Sequence, residues 1–302
     1  MTAITPQPPT PPVVPPKASR RGQSQRMFWR EFARHTAARW SLAIIALFVF
    51  AALAADVLPL QDPTAISSEA YTGPSGEHWF GTDHLGRDMF SRTVHGARVA
   101  IIVALGSAGL ATAIGIVVGA IAGYTGGRLD DLLSRTADVF LLIPVFFLVV
   151  LIVALFGQGL FFVVLIIGLT TWPQSARLMR AEAMVLRERV FVVAARASGG
   201  RGMQVLFRHV IPNGLSPVIT NATILMGQAI LVEAGLSFLG LGDPQVMSWG
   251  RMIFDGRGYL DLSPWMSFFP GLAMFLLVLS LNLVGDGLTQ AFNPKLRRRG
   301  RA

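Results

Sequence analysis

Cysteine is absent from the 302 residues, and lysine occurs only as Lys17 and Lys295. The first absence excludes disulfides, thiolate metal sites and a cysteine nucleophile, although it does not fix the compartment. The second excludes a glycine-rich phosphate loop closed by Gly-Lys-Ser/Thr, so the chain cannot cradle ATP phosphates by that route. Charge is scarce as well: Asp, Glu, Lys and Arg make up 14% of the chain, against 52% hydrophobic residues. Soluble domains are not built that way. The net charge of +9 would suit nucleic acid only if a soluble core carried a basic face, and here the basic residues lie between long apolar runs. The composition is that of an integral membrane protein in contact with lipid, with no nucleic-acid partner.

What is present divides the chain into three. Residues 1–39 open with "TPQPPTPPVVPP", too poor in buriable surface to order, and continue through a basic stretch at 17–39 with seven Lys/Arg and one acid. The first apolar run begins only at Trp40, which is late for a cleavable signal peptide. Residues 40–292 hold the apolar runs, and 293–302 form a second basic tail. Uncharged or nearly uncharged stretches at 41–58, 99–123, 139–156, 160–176, 210–232 and 262–285 each approach or exceed the roughly 17–25 residues that cross a bilayer. Residues 139–176 would make a single helix of about 57 Å against a core of about 30 Å, so they must fold back, with "GQG" at 157–159 as the turn. Six spans place both termini on one side. The tails, the loop around Arg128 and Arg135, and the 177–208 loop together carry 21 of the 26 Lys/Arg, which predicts that they are cytoplasmic. The 59–98 and 236–263 loops then lie outside.

The stretch "VFVVAARASGGRGMQVLFRHVIPN" at 190–213 interrupts the apolar pattern with small residues, glycines and arginines. Helical composition over 174–198, glycines at 199, 200 and 202, and a short helix over 203–210 predict a helix, elbow, helix hairpin, with Pro212 opening the next span. The small residues Ala194, Ala195, Ala197 and Ser198 would let another protein approach the backbone closely.

That stretch resembles the cytoplasmic coupling loop of ABC-importer permeases, whose pattern is E-A-A, three residues, G, then an apolar stretch and a closing L/I-P. Ala194, Ala195, Gly199, Ile211 and Pro212 match it, whereas Val193 stands where the pattern has Glu. "FGTDHLGRD" at 80–88, "EAGLSFLGLG" at 233–242 and "GDGLTQAFNPKL" at 285–296 resemble the oligopeptide, dipeptide and nickel branch, at the position of its second permease. The resemblance implies an all-α, six-span type I importer permease in a prokaryotic inner membrane, passing peptides by alternating access. It implies a second six-span permease, two ATP-binding subunits and an extracytoplasmic peptide-binding protein as partners. ATP and Mg would be bound by those ATPases, leaving no cofactor and no catalytic or metal residue in this chain. The coupling role falls on Val193, Ala194, Ala195, Arg196, Ser198, Gly199, Gly200 and Arg201, with Arg196 and Arg201 substituting for the missing acid.

Other residues admit two readings each. Asp83 and Asp88 precede Arg87 and Arg92 by four, so "DHLGRDMFSR" can form two i,i+4 pairs on a short helix capped by Thr82 or Asp83; it either orders the loop or meets the binding protein. Arg251 and Asp255, in a 236–263 segment expected to be partly re-entrant and then interfacial, are further candidates for that contact. Gly115, Gly119 and Gly123 recur every four residues, as a close helix contact requires. Asn221, Gln228 and Glu233 either line a translocation path or bond between helices. The five histidines form no recognised metal motif. A nickel-complex permease, an intramembrane enzyme and a passive channel are the alternatives; His-Glu-x-x-His is absent, and no acid-base pair stands at plausible spacing within the spans.

Overall fold

Backbone N–H and C=O groups in hydrocarbon have no water to bond, so long apolar runs satisfy them internally as helices. The computed structural model describes residues 32–33 and 35–292, and among these the chain is helical, with one isolated bridge between Thr82 and Asp88 in place of any strand. The expected proline-rich opening and the 293–302 tail lie outside the described residues.

The helices run in the order α1 (Thr36–Ala54), α2 (Met89–Thr125), α3 (Gly127–Leu142), α4 (Val145–Phe156), α5 (Leu160–Arg187), α6 (Val190–Ala197), α7 (Gly202–Val205), α8 (Ile211–Phe238), α9 (Trp249–Gly256) and α10 (Trp265–Phe292). Five stretches are long and apolar enough to cross a membrane: α1, α2, α5, α10 and Gly202–Phe238, which joins α7 to α8. The count reaches six if α3 and α4 form one broken span.

That broken span departs from the sequence reading. A single span over 139–156 was expected; instead α3 begins at Gly127, and its axis turns by 76° into α4. Pro144 is the cause. It cannot donate a helical N–H, and it forces Ile143 into an extended conformation at φ −85°, ψ 120°. Pro173, by contrast, is absorbed within α5, which runs unbroken from span to stem.

The second span also starts ten residues early. No separate helix precedes it: Asp88 caps α2 directly by accepting the Ser91 N–H at 2.7 Å, and the helix continues for 37 residues. In the 236–263 segment, the expected re-entrant and interfacial pieces resolve into a loop followed by α9. Trp249 and Met252 anchor that helix in the core, and the Trp249 indole donates to the Thr93 carbonyl at 2.8 Å.

At the centre α2 packs along α5. Gly115, Gly119 and Gly123 face Ser175, Ala176 and Ala183, so the four-residue repeat serves packing within this chain. A Cβ at Gly119 would come within 2.9 Å of the Ala176 backbone, which has no side chain to move aside. Gly119→Leu is therefore expected to separate the two helices at a cost of about 3 kcal/mol or more. The yield of monodisperse protein after extraction should collapse, whereas Gly109→Leu, where an added Cβ meets nothing within 4 Å, should leave it intact.

Candidate functional site

The 190–210 stretch forms the expected hairpin, built on α5. That helix ends at Arg187, Glu188 and Arg189 turn the chain, and α6 begins at Val190. Val192 is fully buried among Met179, Leu206 and Val210, which fixes α6 against the bundle. The opposite side stays apolar yet uncovered: Val190, Phe191, Val193, Met203 and Phe207 are all exposed, Val193 at 46%. Ala194, Ala197 and Ser198 are exposed beside them, while Ala195 is half-buried.

The elbow has a specific hydrogen-bond pattern. Gly199 N–H donates to the Arg196 carbonyl at 3.0 Å and Gly200 N–H to the Ala195 carbonyl at 3.1 Å, the paired bonds of a Schellman cap. Such a cap needs a left-handed residue after the helix, and Gly199 supplies it at φ +85°. Gly200 is required for a different reason: a Cβ there would stand 2.7 Å from the Ala195 oxygen. Beyond the elbow, α7 passes through a π-helical turn, Leu206–Val210, straight into α8, with Pro212 in its first turn.

The two arginines expected to substitute for the missing acid behave differently. Arg196 folds back, donating to the Arg187 carbonyl and standing 5.8 Å over the Tyr124 ring, so it braces the hairpin against α5 and α2. Arg201 is exposed just ahead of α7.

At the other end of α2, residues 59–88 fold into a charged network. Asp83, only 2% exposed, accepts from Leu85 N–H at 2.8 Å, Arg87 N–H at 3.0 Å and the Arg87 guanidinium at 2.6 Å. The expected Asp88–Arg92 pair does not form. Because Asp88 caps the helix, its second oxygen turns to His78 at 3.0 Å, while Arg92 donates to the Pro63 carbonyl at 3.3 Å and lies 3.8 Å from Asp83. His78 reaches Glu69 with its other nitrogen at 3.1 Å. Arg251 and Asp255 pair at 3.1 Å on α9.

The His78 bridge was missed by sequence reasoning, since a histidine ten residues before an aspartate has no periodic signature. Its hydrogen bond to Asp88, and then that to Glu69, raise its pKa above the ordinary histidine value, against the effect of burial. A raised folded-state pKa means stability that is complete below the unfolded value of about 6.5 and is lost as pH rises through the folded value. Comparing the protein with His78→Gln should show a stability gap of about 1 kcal/mol in mildly acid solution that closes in alkaline solution. Proteolysis of the 59–88 segment at the two pH values measures it.

The three candidate path residues do not converge. Asn221 donates to Ser175 on α5 at 3.3 Å, and Gln228 is exposed. Glu233, 6% exposed, is tied to Ser237 at 2.6 Å, and Ser237 to Ser248 at 3.2 Å, where the α9 segment meets α8. Also missed were two ion pairs joining α3 to α5: Asp130 with Arg180, bidentate at 2.5 and 2.8 Å, and Asp138 with Arg177 at 2.6 Å. Their only sequence signal is that Asp130 and Asp138 lie eight apart, on one helical face.

A helical bundle of this kind, with five or six candidate spans and a hairpin carried on the stem of one of them, defines a polytopic membrane protein. Residues 115–298 match the family described as binding-protein-dependent transport system inner membrane component, and residues 24–74 match the N-terminal TM domain of oligopeptide transport permease C. The chain belongs to this family of transport subunits, as its similarity to named relatives over nearly its whole length also shows. It is 38% identical to the dipeptide transport system permease protein DppC of Alkalihalophilus pseudofirmus, over 97% of both chains. It is 35% identical to the oligopeptide transport system permease protein OppC of Bacillus subtilis, over 94% of this chain and 97% of that one. It is 36% identical to the glutathione transport system permease protein GsiD of Pectobacterium atrosepticum, over 90% and 91%. Among solved structures, an inward-facing MetNI methionine ABC transporter chain aligns with a TM-score of 0.55 and 20% identity, covering 68% of this chain and 98% of that one, which shows the fold.

Proposed function

We propose that this chain is a transmembrane permease subunit of an ATP-driven importer that takes oligopeptides or dipeptides from an extracytoplasmic binding protein. The observation that carries the reading is the hairpin: a helix pair fixed by Val192 to the stem of α5, closed by a Schellman cap at Gly199 and presenting uncovered apolar side chains. A rigid projection of that kind transmits a push from a docked protein directly into α5. Partner ATPases supply ATP hydrolysis, with Mg bound there, and closure of those subunits tilts α5 and the helices packed on it. A second permease completes the path. Dipeptide, oligopeptide and glutathione transport in the relatives' names support peptide cargo; the nickel reading draws no support from these relatives and is not carried further.

In this reading both termini and the hairpin are cytoplasmic, the membrane is a prokaryotic inner membrane, and the 59–98 and 236–263 segments face outward. With the acids at 83 and 88 turned inward, Arg251 and Asp255 on α9 are the proposed contacts for the binding protein, with Arg87 beside them. Two measurements test the proposal together. Reporters fused after Phe292 or within 177–208 should read cytoplasmic and those near Glu69 or Asp255 external. The complete assembly in vesicles should accumulate a labelled dipeptide or oligopeptide only with ATP and loaded binding protein. An external hairpin would remove the coupling argument, and uptake without ATP would make the protein a channel.

A further inference from the structure

An apolar cavity of about 540 Å³ opens between α1, α2 and α10 at the 59–88 end of the bundle, walled among others by Leu47, Ala51, Ala97 and Leu276. Thr93 alone among its lining residues carries a polar side chain other than the Trp79 indole. The volume is that of an ordinary ligand site. A second hollow, of about 210 Å³, shares Pro59, Leu60, Trp79 and Phe90 with its lining, and its other walls are Gln61, Glu77 and Asp88. No lysine or arginine lines either space. Asp88 is already committed to Ser91 and His78, whereas Glu77 is exposed and its carboxylate pairs with no cation among the described residues. Trp79, 63% exposed, belongs to both linings, and its ring is of the amphipathic kind that favours a membrane boundary.

An apolar chamber beside a small acidic one, with Trp79 in both linings, suits an amphiphile with a hydrocarbon chain and a head that ends in a cation. We propose that this is a binding site for one membrane lipid of phosphatidylethanolamine chemistry, its acyl chain in the α1–α2–α10 cavity and its primary ammonium against Glu77. Phosphatidylglycerol carries the same phosphate but no ammonium, so its net negative head offers the carboxylate no counter-charge. The lipid fills a gap between the first and last spans that the chain's own side chains leave open, and it would hold α1 to the bundle. The site does not depend on which cargo the assembly carries.

The test uses the full assembly in nanodiscs of phosphatidylglycerol, doped with either phosphatidylethanolamine or phosphatidylglycerol bearing brominated acyl chains, which quench nearby tryptophan. The Trp79 signal is isolated by difference from Trp79→Phe. Brominated phosphatidylethanolamine is expected to quench it at roughly threefold lower mole fraction than the brominated anionic lipid, the factor of one exposed ion pair. Glu77→Gln should abolish that preference while leaving quenching itself, and Ala51→Phe should reduce quenching by both to the level of bulk lipid. Equal quenching by the two lipids, or a preference that survives Glu77→Gln, would overturn the proposal. So would the absence of any quenching, which would mean that a segment of the second permease occupies the cavity. Should Ala51→Phe fail to assemble, the Glu77→Gln comparison still decides the matter.

Discussion

Gly199→Glu is expected to cut peptide uptake by the complete assembly sharply while expression, membrane insertion and pairing with the second permease stay near normal. The residue closes the Schellman cap at φ +85°, where a side chain costs on the order of 1 kcal/mol. That strain is too small to unfold the bundle. A Cβ there meets nothing within 4 Å, so the glutamate has room to extend outward, adding a bulky charge to a hairpin that also exposes the apolar residues Val193 and Met203. An apolar docking surface tolerates an unpaired charge poorly. Uptake should fall by tenfold or more, about 1.4 kcal/mol of lost coupling, and hydrolysis stimulated by loaded binding protein should fall with it. Gly199→Asn, a residue that accepts the left-handed region, should keep most of both. Unchanged transport and stimulated hydrolysis in the glutamate variant would show the elbow to be an ordinary surface loop.

Arg180→Ala should produce a different failure, in which hydrolysis outlasts transport. Arg180 holds Asp130 through two charge-assisted hydrogen bonds, and Asp130 is buried. Removing the guanidinium leaves that carboxylate without its partner, at a cost of about 2 kcal/mol once the partial exposure of the arginine is allowed for. The other α3–α5 ion pair, Asp138 with Arg177, is exposed on both sides and contributes little. Helix α3 is then held to α5 mainly by the Phe140–Trp172 contact and follows it less closely, although the hairpin beyond Arg187 is unchanged. Stimulated hydrolysis should persist at a large fraction of its normal rate while uptake drops several-fold. The reciprocal exchange, Asp130→Arg with Arg180→Asp, should recover part of the uptake. Loss of both activities in the single variant, with a destabilised assembly, would indicate that the pair only holds the fold together.

The hairpin was legible in the sequence because its determinants are local. Three glycines within four residues, small residues before them and a proline after them specify an elbow whatever surrounds it, and the left-handed conformation of Gly199 follows from chain geometry alone. The glycine repeat at 115, 119 and 123 was legible for the same reason, though its partner helix was not. The failures were also local in appearance. Asp88 and Arg92 have the spacing of a helical pair, yet that spacing counts only if the helix includes both residues. Here it begins at Met89, so capping claimed the carboxylate first. Pro144 was visible inside an apolar run, but whether a proline kinks a helix or is absorbed depends on what packs around it. Pro173 was absorbed within α5, whereas at Pro144 the chain turned by 76°.

The sequence by itself determined that this is a helical membrane protein, where its apolar runs lie, and that a glycine-hinged helix pair interrupts them, because the bilayer demands continuous apolar length and the hairpin demands only neighbouring residues. Tertiary structure alone decided what the polar residues do. Asn221 reaches Ser175 across 46 positions, Arg180 reaches Asp130 across 50, and Trp249 reaches Thr93 across 156. In a bundle whose helices are apolar nearly all round, periodicity does not mark which face meets which neighbour. Only the packed arrangement, set by where small residues let backbones approach and where buried polar groups find partners, makes that choice.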